Sequence, residues 1–320
     1  MIELPRHYPL PLRSSMFGGA DACPVLPYAQ PPSKARYAGN GQRRSFSFSG
    51  AQDKYSMVLD GTTLRYREEG ETGNYILKPC PADAYMPHRK DAPANEDLCM
   101  GIMRRIFRLP TAESTLCYFG NGETAYLTRR FDITPRGTTL HMEDYAALTD
   151  LQAVDSGRKY CYSYEELAAA IAGTSTAPAA DILRFFRMVL ANFLLCNGDA
   201  HLKNFALLGT DAGNMVLSPV YDVMNTRLHV QDADFALDRG LFADARQPGE
   251  GGMARHFLDW AAAIGIRPAT AASTLKSYTA KLPRIEEAVA QSALSRKAQK
   301  AFLLTVRTRF KALGVRREKP

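Results

Sequence analysis

From Tyr55 to Arg129 the chain is written in short strand-like runs separated by strong turn signals, whereas the second half is dominated by apolar residues at helical spacing. A switch of period from about 2 to about 3.6 residues restricts the fold to plans in which sheet and helices occupy different parts of the molecule. In the first half, Tyr55–Leu59 ends at Asp60-Gly61, and Thr63–Arg67 returns as its hairpin partner. Tyr75–Lys78 reads as a strand stopped by Pro79. Leu116–Phe119 and Thr124–Arg129 flank Gly120-Asn121-Gly122 as a second hairpin. Ser45–Ser49 alternates polar and aromatic residues. Between the hairpins, Asn95–Phe107 carries Leu98, Ile102, Met103 and Ile106 on one helical face.

In the second half, Ser163-Tyr-Glu-Glu166 is a capping box opening a helix that ends near Gly173. A longer apolar helix runs from Asp181 to Cys196 and stops at Asn197-Gly198. Phe205–Leu208 and Met215–Leu217 form a small hairpin, and periodic helices follow Gly252. The expected plan is α+β and two-lobed. Residues 1–44 are an irregular lead-in, 45–131 an N-lobe built on an antiparallel sheet with one helix, and 132–320 a mainly helical C-lobe.

Composition excludes few functions. Of 320 residues, 46% are hydrophobic and 23% charged, the balance of a globular chain. The richest apolar run, Phe185–Cys196, holds Arg187 and Asn192 and is too short to span a bilayer, so no membrane role is expected. The N-terminus lacks a secretion signal. Cys23, Cys80, Cys99, Cys117, Cys161 and Cys196 form no C-x-x-C pair and read as reduced thiols of a cytoplasmic protein rather than zinc ligands. The net charge of +7 suits ATP, an acidic partner or nucleic acid equally. The basic stretch Arg296–Lys319 reads as a solvated helix face.

The most informative segment is Asn197–Phe205, a loop between a buried helix and a strand. It carries Asp199 and Asn204 at the D-x-x-x-x-N spacing of a phosphoryl-transfer loop. In such a loop a carboxylate orients the attacking hydroxyl, and an amide oxygen a few residues on holds Mg2+. Lys203 could neutralise the moving phosphate, and His201 fixes the loop. Asp222, after the hairpin, suits a second metal-binding carboxylate. Upstream, Ser49, Gly50, Ala51, Gln52 and Lys54 lie in a small-residue turn whose amides could approach phosphates. Lys78 ends a strand as a phosphate-pairing lysine would, Glu96 on the next helix could hold it, and Arg129, Arg130 and Phe131 could form an adenine hinge. Each piece alone has an ordinary structural reading, and the order of the pieces is what points to nucleotide chemistry.

At Ser47–Lys54, Ile76–Pro79, Asn95-Glu96, Arg130–Asp132, Glu143-Asp144, Asn197–Phe205 and Pro219–Asp222 the chain resembles the HipA family, kinase toxins of bacterial toxin–antitoxin modules. The resemblance implies a protein-kinase-like fold and a serine/threonine kinase using ATP and Mg2+. It makes Asp199 the base, Asn204 and Asp222 the metal ligands, Lys78 the ATP lysine and Arg129–Phe131 the hinge. It also implies autophosphorylation at Ser47, with Ser49 a second candidate because the short HipT branch carries a Ser-x-Ser pair. The implied partners are a protein substrate, which in the family is an aminoacyl-tRNA synthetase, and an antitoxin through which nucleic acid is met indirectly. A separate small protein matching the N-terminal subdomain of long HipA proteins is a further implied partner, because only 44 residues precede Ser45. Two departures stand out: the Gln usual after Glu143-Asp144 is missing, and Arg129 occupies the place of a hinge Glu. Two other readings are a small-molecule phosphotransferase of the same superfamily and an inactive kinase-fold module that binds an antitoxin or DNA.

Overall fold

The computed structural model describes residues 4–31, 52–149 and 158–315. The first half is a five-stranded antiparallel sheet. Its strands are β1 (Tyr55–Asp60), β2 (Thr63–Tyr66), β3 (Tyr75–Pro79), β4 (Ser114–Tyr118) and β5 (Thr124–Arg129), in the order β2-β1-β3-β5-β4. Both expected hairpins are present, within a residue or two of the turn signals that announced them.

Strand alternation gives the two faces different tasks. Leu77 and Leu127 pair across β3 and β5 and join Met57, Leu64, Cys117 and Ala125 in one apolar cluster. Lys78 and Tyr126, one residue on, face the other way. A helix packs on β4 and β5, spanning Ala92–Arg105 and beginning three residues before the expected Asn95.

The described part of the lead-in, residues 4–31, is not wholly irregular. Leu10–Phe17 is α1, and Met16 and Phe17, with Tyr8 and Leu26, complete the apolar cluster beneath the sheet. Pro9 and Pro11 hid this short helix from a periodicity reading; proline is in fact well suited to a first helical turn. The helix closes at Gly18, whose φ of 62° is the left-handed value a C-terminal cap needs. In chain order, Ala92–Arg105 is therefore α2.

The second half adds β6 (Met142–Asp144), α3 (Tyr145–Leu148), α4 (Tyr164–Thr174), α5 (Pro178–Leu194), β7 (Ala206–Gly209) and β8 (Met215–Leu217). Strand β6 was not expected; it pairs with β7 to make a three-stranded sheet, β6-β7-β8. The capping box on α4 is formed: Ser163 Oγ accepts from the Glu166 amide, and Glu166 Oε2 accepts from the Ser163 amide. Helices α6 (Gly252–Ala263), α7 (Pro268–Thr279), α8 (Leu282–Ala290) and α9 (Arg296–Ala312) complete the fold. The core around α5 joins Phe185, Phe186 and Phe193 to Trp260 of α6 and Phe302 of α9. Asp181, buried near the start of α5, accepts from the Leu217 amide at 2.7 Å and so ties the helix to the hairpin.

Helix α5 ends at Leu194, and the left-handed residue after it is Cys196 (φ 59°), not Gly198. Gly198 has a different role. A Cβ there would lie 2.4 Å from the Asp232 carboxyl carbon, so a larger residue would require that side chain to move. The six cysteines are free thiols. Among the described residues, no helix is long and apolar enough to cross a membrane.

One of the polar contacts joining the two halves predicts a pH response. Asn95 of α2 donates to the Asn225 carbonyl and meets His229 Nε2, both at 2.9 Å. His229 Nδ1 lies 3.0 Å from the Pro87 carbonyl. Burial pushes the His229 pKa down to about 4. Because that value lies below the ordinary one, the contribution of neutral His229 is complete above pH ~6.5 and is lost as pH falls toward ~4, up to about 3 kcal/mol. Thermal melts across this window should show His229→Gln flattening the acid-side fall in Tm. An unchanged slope would remove His229 as its source.

Candidate active site between sheet and helices

The loop after α5 is held from several sides. Asn197 Nδ2 donates to Asn192 Oδ1 at 2.9 Å, and the Gly198 amide donates to Thr226 Oγ1 at 3.0 Å. Tyr164 in α4 donates its hydroxyl to the Ala200 carbonyl. The three-residue turn Leu202–Asn204 is closed reciprocally: the Asn204 amide donates to the His201 carbonyl, and the His201 amide donates to Asn204 Oδ1. His201 is buried, which pushes its pKa down to about 4 and keeps the ring neutral. Lys159 Nζ lies 2.7 Å from its Nε2. The His201 main chain closes the turn, while its ring packs against Lys159 and Tyr160 rather than bonding the loop backbone.

Asp222 sits on the far side of the cleft with φ 61°, a left-handed conformation that asparagine and aspartate tolerate better than most residues. Its Oδ1 is 2.5 Å from Lys78 Nζ and its Oδ2 is 3.0 Å from Lys54 Nζ. Lys78 also reaches Glu96 Oε1 at 2.5 Å; Lys78 is 4% exposed and Glu96 1%. Burial alone would raise the Asp222 carboxyl, but Lys54 and Lys78 outweigh it and hold the group well below the usual range. Glu96 goes the other way. Burial, reinforced by the Asp222 charge, pushes it up to about 7 against the pull of Lys78. Burial disfavours the Lys78 ammonium, but Asp222 and Glu96 together raise its pKa above the ordinary value.

These groups share one cavity of about 350 Å³, a volume in the range of small-molecule sites. Lys54, Lys78, Glu96, Arg129, Arg130, Phe131, His201, Lys203, Asn204 and Asp222 line it, so ten expected residues from both halves converge. Two others, Gln52 and Asp199, stand apart from this group. Gln52 is buried and donates to the Pro79 carbonyl at 2.9 Å, bracing the end of β3 rather than lining the cavity. Asp199 is outside the lining set and receives the Tyr160 hydroxyl at 2.6 Å. The Arg129 guanidinium donates to the Ser15 carbonyl of α1, so its side chain follows the α1 face of the sheet although the residue borders the cavity. Ser47, Ser49, Gly50 and Ala51 lie outside the described residues.

Sequence reasoning missed several groups. Ile76 and Thr128 line the cavity on the same strand face as Lys78, and counting two residues along each strand would have found them. Asp132 also lines it, paired with Arg130 at 2.5 Å. Tyr221 does too, its ring 5.4 Å from Phe131 and its hydroxyl on the Lys203 carbonyl. Tyr160 and Lys159 lie in an isolated turn, and no periodic signal marks them.

Among the described residues no cluster of three or more His, Cys, Asp or Glu could hold a metal by itself. Mg2+ takes one or two protein oxygens and completes its shell with water and phosphate oxygens. Asp222 and Asn204, a carboxylate and an amide oxygen on one cavity, fit that donor set.

The chain is 31% identical over 205 residues to the putative kinase Y4dM of Sinorhizobium fredii, covering 60% of this chain and 47% of the relative. It is 26% identical over 225 residues to a putative kinase of Haemophilus influenzae, covering 68% and 63%. The chain thus spans about half to two thirds of the length of these curated relatives. In fold it is similar to Shewanella oneidensis HipA, solved with HipB and operator DNA. The TM-score is 0.65 at 18% identity, over 87% of this chain and 68% of that one. It is also similar to the Helicobacter pylori proinflammatory kinase CtkA, with a TM-score of 0.52 at 14% identity, over 78% and 90%. The expected two-lobed, kinase-like α+β fold is therefore present. Residues 46–286, well over half the chain, match the family described as HipA-like C-terminal domain, and the protein belongs to that family.

Proposed function

We propose that this chain is an ATP-dependent protein serine/threonine kinase and the toxin component of a toxin–antitoxin module. The observation that carries the reading is the Glu96–Lys78–Asp222 chain of ion pairs facing Asn204 across one cavity. In this reading residues 45–131 bind nucleotide and 132–320 supply the transfer loop. Ile76, Ala112 and Met142 offer apolar walls to adenine, and the Arg129–Phe131 backbone borders it. Lys78, steadied by Glu96, meets the α- and β-phosphates. Lys54 and Lys203 add positive charge toward the γ-phosphate.

Asp199 orients the acceptor hydroxyl and accepts its proton as the oxygen attacks the γ-phosphorus in line with the departing ADP oxygen. Asn204 and Asp222 would hold Mg2+, which when bound neutralises charge on the phosphates. The chain also phosphorylates itself at Ser47 or Ser49, where nearly two added negative charges would oppose nucleotide binding. HipA from Shewanella was solved with HipB and operator DNA. By analogy this chain binds an antitoxin protein, and DNA only through it. The short HipT-like branch, with a separate small subdomain protein, is part of the same proposal.

Incubation with γ-labelled ATP and Mg2+, followed by phosphosite mapping on the chain and on a cell extract, tests the reading. Label is expected on Ser47 or Ser49 and on a protein acceptor, and EDTA should abolish it. Label appearing only in a metabolite would make the chain a small-molecule phosphotransferase. Absence of ATP binding would make it an inactive module.

A further inference from the structure

We propose that Tyr160 is a positioning residue of the transfer reaction, holding the Asp199 carboxylate in the orientation needed to receive the acceptor proton. The inference rests on the phosphotransferase reading above and goes beyond it by assigning a role to the turn Arg158–Tyr160. The Tyr160 hydroxyl donates to Asp199 Oδ1 at 2.6 Å. A base on a loop has two free side-chain torsions, and a short charge-assisted hydrogen bond from a rigid phenol removes most of that freedom.

The phenol is itself built in. Its ring meets the His201 ring edge-on, with centroids 5.2 Å apart and planes at 72°. Lys159 Nζ lies 4.9 Å over the Tyr160 ring and 2.7 Å from His201 Nε2. The Tyr160 carbonyl accepts from the amides of Tyr162 and Asp238. One short turn therefore grips Asp199 directly and Asn204 through the His201 backbone.

The same hydrogen bond could be read as a tyrosine standing in the place of the acceptor hydroxyl, to be displaced by substrate. The packing argues against that reading. Tyr160 is anchored by its carbonyl, its ring and its hydroxyl to separate parts of the C-terminal half, whereas a displaceable plug needs few such anchors.

The test uses the full chain as wild type, Tyr160→Phe and Asp199→Asn, with γ-labelled ATP and Mg2+. Label is followed in the chain itself and in dephosphorylated casein. Affinity for a fluorescent ATP analogue and Tm are measured in parallel. Tyr160→Phe should lower kcat about 10- to 100-fold. KM for ATP, analogue affinity and Tm should stay within about twofold or a degree of wild type, because the phenyl ring keeps its contact with His201. A rate within twofold of wild type overturns the proposal. So does a faster rate, which would assign Tyr160 to the acceptor's place. A parallel fall in affinity and Tm overturns it in favour of a purely structural role. If wild type transfers no more label than Asp199→Asn, the phosphotransferase reading fails and takes this proposal with it. An active wild type with an unaffected Tyr160→Phe sinks the Tyr160 role alone.

Discussion

Lys78→Met should cost the fold about 3–5 kcal/mol and remove ATP-dependent transfer. Methionine keeps the length of the side chain but not the ammonium that both Glu96 and Asp222 bind at 2.5 Å. With Glu96 at 1% exposure, its charge would be left buried without a cation. Glu96 can escape by taking a proton, since burial already pushes its pKa up to about 7. A carboxyl raised above its unfolded value is stabilised at low pH and loses that contribution as pH rises from ~4.5 toward its folded value. Removing Lys78 raises the folded value further. Denaturation should therefore show a larger deficit at pH 8.5 than at pH 6. Adding Glu96→Gln to Lys78→Met should recover most of the stability and none of the transfer. That split distinguishes a lysine needed for phosphate from one needed only to fill the core. Nucleotide affinity unchanged in Lys78→Met would remove the lysine from the site.

The second large effect is at Asp222. Asn is nearly isosteric with Asp and shares its tolerance for the left-handed φ of 61°. Asp222→Asn should therefore change the charge and little else. Transfer should fall by about 1,000-fold or more. Binding of nucleotide without Mg2+ should hold or tighten, since Lys54 and Lys78 are released toward phosphate. Asp222→Ala should lose the same activity and a further ~1–2 kcal/mol, because alanine does not favour that backbone region. Transfer by Asp222→Asn within tenfold of wild type would take the carboxylate out of the reaction.

Lys54 gains meaning from the same arrangement. It follows closely on a small-residue stretch of the sequence, and its ammonium pairs with Asp222 across the cleft. The sequence placed it among the phosphate contacts, but nothing in the sequence links it to a carboxylate so far along the chain. The same holds for Asn95 and His229, whose contact joins α2 to the loop after Asp222.

Legibility followed the range of the forces involved. The two hairpins, the capping box on α4 and the helical face of α2 were readable because turns, caps and periodicity act within a few residues. Under the proposed function, the D-x-x-x-x-N spacing and its order relative to Lys78, Glu96 and Asp222 have a related reason. Chemistry that needs a carboxylate and an amide on one loop fixes their spacing. Helix α1 and strand β6 were not readable. The first is two turns long, and the second has three residues whose ladder partner is β7. A segment that short takes its structure from the surface that buries it.

By itself the amino-acid order determined the strand-then-helix plan, the hairpin turns and which residue types could serve a phosphate site. Tertiary structure alone decided that Asp222 adopts a left-handed backbone between two lysines, that Arg129 turns its side chain toward α1, and that Tyr160 holds Asp199. Those three depend on contacts between segments far apart in sequence, formed only when burial brings the sheet, its covering helix and the loop around α5 together.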